Sequence, residues 1–253
     1  MIGIFDSGVG GLIVLSAIKK RLPSVDVVYF GDTKHSPYGG KSREELTLRT
    51  IASIRILARE KATSILSACN SLSASLAVSL LDSMALPPGR LIEMVGPTVA
   101  HFRESSERVL LCATEATIRS EVYQNAFHMI GKEVYTLILP SLAGAIEHGA
   151  SAEEIESNIR NGFKNMDLDI FDTVVLACTH YPLVQAVFEK ILGDSVTIYN
   201  PAEAVALRVE KYWWPLEAGT GTLRFLISEE SETFRHIAAD YFPSDDYSIE
   251  VIE

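Results

Sequence analysis

The chain has 253 residues, 47% hydrophobic and 22% charged, with 33 Asp and Glu against 22 Lys and Arg and a formal net charge of −11. This balance fits a globular protein with one large or two smaller cores and excludes disordered and fibrous classes. The acidic excess, with no Lys/Arg block, removes nucleic acid as a partner and leaves any anionic ligand to be held by local dipoles.

The apolar runs stop short of membrane-spanning length, and Met1-Ile2-Gly3-Ile4-Phe5-Asp6 enters structure without a basic leader, so a cytoplasmic protein with no membrane partner is expected. Three cysteines, an odd number, point to free thiols in a reducing compartment.

In chain order, residues 2–5 read as a buried strand, Asp6-Ser7-Gly8-Val9-Gly10-Gly11 as a tight turn, and 12–22 as a helix with Leu12, Leu15, Ile18 and Leu22 on one face. A strand over 25–30 leads into a turn-rich loop running from Gly31-Asp32-Thr33 to Pro37-Tyr38-Gly39-Gly40. Ser42 and Glu45 form a capping box for a helix carrying Leu48, Ile51, Ile54 and Leu57/Ala58 at i,i+3 spacing. The run from Ser64 to Cys69 reads as a strand and 71–81 as the helix after it. Pro87, Pro88 and Gly89 punctuate the chain, 91–95 resumes as a strand, and a lobe boundary falls near Gly96-Pro97.

The second half reads similarly. Residues 108–112 are a strand, 113–117 a hydroxyl-rich turn, 118–130 a helix with Val122, Ala126 and Met129 inward, and 134–139 a strand. Ser151 and Glu154 make a second capping box, and the next strand runs into Cys178. A short strand at 196–199, a helix at 201–214, a strand at 222–228 and a helix at 232–241 complete the chain, with Trp213-Trp214 expected in the core.

One motif occurs twice. Ser64-Ile65-Leu66-Ser67-Ala68-Cys69-Asn70-Ser71 and Thr173-Val174-Val175-Leu176-Ala177-Cys178-Thr179-His180 are both apolar runs ending in Ala-Cys and two polar residues. The cysteines are 109 positions apart, and the first strand-turn-helix of each half begins 107 apart. Two similar α/β lobes account for this, although any alternating βα chain repeats at about this spacing.

A lone Cys after a strand is usually a small core residue, and a lone His a satisfied hydrogen-bonding one. As a pair at strand ends, where a helix dipole favours thiolate, Cys69 and Cys178 become candidate acid/base groups, with Asp6 and His180 as helpers. The turn at 6–11 can receive an anion but is neither a dinucleotide fingerprint nor a P-loop, since Ile13 replaces the third glycine and no Gly-Lys-Ser/Thr follows. A zinc site lacks the usual spacing, having no C-x-x-C. A Cys/His hydrolase remains open but leaves one cysteine without a task.

The motifs Phe5-Asp6-Ser7-Gly8-Val9-Gly10-Gly11, Tyr29-Phe30-Gly31-Asp32-Thr33, Pro37-Tyr38-Gly39, Ala68-Cys69-Asn70, Thr114-Glu115-Ala116-Thr117-Ile118-Arg119-Ser120 and Cys178-Thr179-His180-Tyr181-Pro182-Leu183 follow one another in this order. In them the chain resembles the glutamate racemases of the aspartate/glutamate racemase superfamily. The resemblance implies two pseudo-symmetric α/β lobes with mainly parallel sheets and the site in the cleft between them. Residues 1–96 and 207–253 would form the first lobe and 97–206 the second.

It further implies interconversion of L- and D-glutamate without cofactor or metal, supplying D-glutamate to peptidoglycan, in a homodimer. Cys69 and Cys178 are then the two bases on opposite faces of the α-carbon, aided by Asp6, His180 and Glu147. Asp6, Ser7, Tyr38, Gly39, Asn70, Ser71, Thr114, Thr117, Thr179 and His180 match positions that hold the amino acid. An aspartate or broad-specificity racemase and a non-catalytic amino-acid-binding module are the alternatives. The chain departs from the family pattern at Ser71, at Gly96-Pro97-Thr98, at Leu139-Pro140 and at Asn200-Pro201-Ala202.

Overall fold

The computed structural model describes residues 1–73, 87 and 89–252. Its strands are β1 (Ile2–Asp6), β2 (Val27–Gly31), β3 (Ser64–Ser67), β4 (Leu91–Ile92), β5 (Val109–Ala113), β6 (Val134–Ile138), β7 (Thr173–Ala177), β8 (Thr197–Tyr199), β9 (Leu223–Ile227) and β10 (Tyr247–Val251). They form two sheets, of order β10-β9-β2-β1-β3-β4 and β6-β5-β7-β8, in which every strand pairing is parallel.

The helices are α1 (Gly11–Arg21), α2 (Arg43–Arg59), α3 (Asn70–Ser73), α4 (Val95–His101), α5 (Glu115–Arg119), α6 (Val122–Met129), α7 (Leu142–Glu147), α8 (Ala152–Phe163), α9 (Gln185–Leu192), α10 (Ala202–Trp213) and α11 (Glu232–Tyr241). Among the described residues no helix is long and apolar enough to cross a membrane.

Parallel strands covered on both faces read as continuous apolar runs, which is why they stand out in the sequence. Each sheet separates two hydrophobic clusters, one per face. The order β2-β1-β3-β4 recurs as β6-β5-β7-β8, and the first residues of corresponding strands lie 106–109 positions apart. Cys69 and Cys178 therefore sit at equivalent places, just past the carboxyl ends of β3 and β7. The third thiol, Cys112, is buried within β5, and burial pushes its pKa up.

Several sequence expectations are corrected. Leu48 is 67% exposed because the inward stripe of α2 runs through Leu46, Thr50, Ser53, Ile54 and Leu57. The helix expected over 118–130 is two helices, α5 and α6, broken at Glu121 with φ of 56°. The break rotates the register, so Tyr123 and Phe127 turn inward and Met129 stands 85% exposed.

Val95 opens α4 instead of ending a strand. Trp213 packs in the core, whereas Trp214 is 39% exposed. β10, an edge strand with little apolar alternation, was not expected from its sequence. The box at Ser42 and Glu45 has both its hydrogen bonds, while Ser151 accepts from Glu154 N–H without a recorded return bond. Most of the helix expected over 71–81 lies outside the described residues.

Candidate active site

In a parallel sheet, ligands bind beyond the carboxyl ends of the strands. The carboxyl ends of β1 and β3 in one sheet, and of β5 and β7 in the other, carry Asp6, Cys69, Thr114 and Cys178 to one small cavity and its wall. The cavity encloses about 10 Å³ and is lined by Ser7, Pro37, Tyr38, Gly39, Cys69, Asn70, Ser71, Thr114, Ala143, Cys178, Thr179 and His180. Both active-site thiols are 5% exposed.

The turn after β1 is organised by protein carboxylates. Asp6 Oδ2 accepts from the N–H groups of Gly8 (3.0 Å) and Gly11 (3.1 Å), and Glu147 Oε2 accepts from Val9 N–H (3.1 Å). Three of the donors that the sequence offered to an anionic ligand are thus already occupied. Asp6 Oδ1 accepts from Thr179 Oγ1 at 3.3 Å across the cleft. Burial raises the Asp6 pKa, opposed by the His180 charge and by the Gly8 and Gly11 N–H groups.

Close approach here depends on glycine. A Cβ on Gly8 would collide with the Glu147 carboxylate, and one on Gly10 would lie 2.7 Å from both His180 Nδ1 and Thr179 Oγ1. The turn is pressed against the opposite lobe, and Gly8 and Gly10 bring no side chain to the places where the two meet.

Cys69 Sγ donates to Ser7 Oγ at 3.8 Å. Its pKa is raised, first by burial and then by the negative charge of Asp6. This overrides the thiolate preference that the strand-end position suggested, because a helix dipole cannot offset removal from water at a fully enclosed sulfur.

On the other side, Cys178 Sγ lies 3.9 Å from His180 Nδ1, and His180 Nε2 lies 2.5 Å from Glu147 Oε2. Burial acts to lower the imidazole pKa, but hydrogen bonds to Cys178 and Glu147 and the Glu147 charge outweigh it and hold the value well above ordinary. His180 thus lies between a carboxylate and a sulfur, both of which favour its protonated form.

The remaining polar groups stitch the cleft. Ser71 Oγ and Thr114 Oγ1 are 2.9 Å apart, and Thr117 Oγ1 is 3.1 Å from Thr114 Oγ1. Ala116 N–H donates to Gly39 C=O at 2.8 Å. Tyr38 OH donates to Asp32, which also bonds His35 Nδ1 and Ser228 Oγ, each at 2.7 Å. Asn70 Oδ1 accepts from Tyr123 OH at 2.6 Å, while Asn70 Nδ2 is buried with no partner among the described residues.

Of the sequence-derived candidates, Asp6, Thr117 and Glu147 stand behind the cavity wall and the others line it. Tyr123, Asp32, Pro37 and Ala143 were missed as site residues. Asp32 and Pro37 lay inside quoted motifs without a role, and nothing local marks Tyr123 or Ala143. Among the described residues no group of three or more His, Cys, Asp or Glu is placed to hold a metal ion.

Twin α/β lobes that close a thiol from each strand-end loop around one cavity fit a known class, and residues 14–209 match the Asp/Glu/hydantoin racemase family, to which the chain belongs. It is 34% identical over 254 residues to the glutamate racemase of Desulforudis audaxviator (strain MP104C), covering 95% of this chain and 93% of that protein. Among solved structures, glutamate racemase isoform RacE1 from Bacillus anthracis superposes with a TM-score of 0.87 at 27% identity, over 100% of this chain and 97% of that one. The Francisella tularensis glutamate racemase, solved in complex with D-glutamate, gives 0.86 at 26% identity with the same coverage.

Proposed function

We propose that the protein interconverts L- and D-glutamate by a cofactor-independent two-base reaction, Cys69 and Cys178 serving the opposite faces of the α-carbon. The observation that carries this reading is the placement of two thiols, from equivalent positions in two like-ordered sheets, around one small cavity. Glutamate as the substrate is supported by the names of the relatives. Inversion needs proton removal on one face and delivery on the other, so a single base does not suffice.

One cysteine, as thiolate, takes the α-proton, and the other, as thiol, returns a proton to the far side. The reverse direction exchanges their roles. Protonated His180, held by Glu147, donates towards Cys178 Sγ. On the other face the substrate α-ammonium counters the Asp6 charge that disfavours a Cys69 thiolate.

Asn70 Nδ2 and the hydroxyls of Ser7, Ser71, Thr114 and Thr179 supply donors for the carboxylates, with Tyr38 and Gly39 closing the wall and Thr117 bracing Thr114. About 10 Å³ suits roughly one water molecule. An amino acid therefore enters only after the lobes part.

In this reading residues 1–96 and 207–253 make the Cys69 lobe and 97–206 the Cys178 lobe, supported by which strands share a sheet. α10 runs through the boundary and packs with α1. A cytoplasmic homodimer feeding peptidoglycan synthesis rests on the family resemblance.

The test is incubation of either glutamate enantiomer in D₂O without pyridoxal phosphate. Deuterium at the α-carbon and loss of optical rotation are expected, and Cys69→Ala or Cys178→Ala should each abolish racemisation. Absence of exchange in the unsubstituted enzyme, or near-full turnover in either variant, overturns the proposal. Faster exchange on aspartate than on glutamate would assign the other substrate.

A further inference from the structure

Next to the small cavity lies a second, larger recess of about 380 Å³, whose walls include Lys41, Arg43, Leu46, Ser71, Arg119 and Ser120. No carboxylate lines it. Arg119 pairs with Glu115 at 2.5 Å, while among the described residues neither Lys41 nor Arg43 has a carboxylate in ion-pair contact. The Lys41 ammonium stands 5.9 Å from the ring centroid of Tyr38, which closes the inner cavity. These three cations, one of them paired with Glu115, lie on a protein of net charge −11.

The partition between the two spaces is thin. Ser71 lines both. The partition is held by the Ser71–Thr114 hydroxyl pair and the bond from Ala116 N–H to Gly39 C=O, each joining one lobe to the other. Parting the lobes breaks these two contacts and opens the recess directly onto the cysteines.

We propose that this basic recess is an encounter site for the dicarboxylate substrate, which waits between Lys41, Arg43 and Arg119 and passes Ser71 into the cavity when the lobes separate. The inference rests on the reading of the inner cavity as a glutamate site. An anionic substrate is repelled by the protein as a whole, and a local cationic funnel is the arrangement that restores its capture, since such fields raise encounter rates by ~10–10³. Lys41 and Arg43 do not line the inner cavity, so their effect falls on capture and not on turnover.

The test compares kcat and KM for L-glutamate between about 20 and 300 mM KCl, a range over which the screening length falls from beyond ~20 Å to under ~8 Å. In the Lys41→Gln/Arg43→Gln double variant, kcat/KM at low salt should fall about three- to tenfold with kcat within about twofold, and its salt dependence should flatten. A Lys41→Arg/Arg43→Lys variant should keep both, and Arg103→Gln, which removes an exposed charge elsewhere, should behave as the unsubstituted enzyme.

An unchanged kcat/KM and salt slope in the double variant overturns the proposal. So does a loss confined to kcat, which would place these residues in the closed site. Failure of the glutamate reading shows separately, as absence of α-proton exchange in the unsubstituted enzyme.

Discussion

The Tyr123 hydroxyl, on α6, donates at 2.6 Å to the side-chain carbonyl of Asn70, on α3 of the opposite lobe, and so holds the Asn70 amide with its Nδ2 donor buried and without a partner among the described residues. An unpaired buried donor is costly unless a ligand completes it. Tyr123→Phe frees the amide to turn. We expect KM for glutamate to rise about tenfold, corresponding to ~1.4 kcal/mol, with kcat within about twofold. Steady-state kinetics in both directions check this, and an unchanged KM would show that Asn70 is oriented by other contacts.

Glu147→Gln removes the charge that sustains the protonated His180. Because the fold raises the imidazole pKa, folding favours the protonated form. That stabilisation is complete below the unfolded value of about 6.5 and is lost as pH climbs through the raised folded value. The unsubstituted enzyme should lose urea resistance on the alkaline side, whereas Glu147→Gln should lack much of this decline and show a lower His180 pKa by NMR. Activity should fall about 10²-fold or more, in line with loss of an acid/base helper.

Gly10→Ala separates lobe closure from folding. Gly10 has φ −61° and ψ −39°, which alanine adopts readily, so the backbone offers no objection. The added Cβ would lie 2.7 Å from His180 Nδ1 and Thr179 Oγ1 in the opposite lobe. A displacement of ~1 Å at a reacting centre costs up to about 10²-fold. The melting temperature should change little while kcat/KM falls at least about tenfold, and full activity would show that the lobes do not need this approach for turnover.

Asp32→Asn tests the support under Tyr38. Burial acts to raise the Asp32 pKa, but hydrogen bonds from Tyr38, His35 and Ser228 outweigh it and hold it below the ordinary value. The stabilisation from the ionised carboxylate is therefore present above about 3.9, the unfolded value, and is lost as pH falls through the lower folded one. The variant should be less stable at pH 7 by ~1–3 kcal/mol and should lose part of the acid-side decline, as read by urea unfolding at several pH values. KM should rise as well, since Tyr38 and Gly39 form the cavity wall.

The strands and the two cysteines were legible in the sequence because each belongs to a local pattern, whereas most of the cleft hydroxyls were placed in the site only through the family resemblance. A strand buried on both faces is a continuous apolar run, and a residue at its carboxyl end is identified by where the run stops. The 106–109-residue offset between corresponding strands is likewise a property of the chain as written. Elements without such a pattern were not legible. β10 is an edge strand with a half-exposed sequence, and the break at Glu121 turned Tyr123 inward where a single continuous helix placed Val122, Ala126 and Met129.

What only the tertiary structure decided is which groups meet across the cleft. The sequence put Glu147 near His180 only through resemblance, and Tyr123 near Asn70 not at all, since both contacts join residues of separate elements that packing brings together. The tertiary structure also opposes the local preference at Cys69. A strand-end thiol at a helix start is favoured as thiolate by local dipoles, but enclosure between two lobes and the nearby Asp6 charge act more strongly, and these depend on the folded chain as a whole.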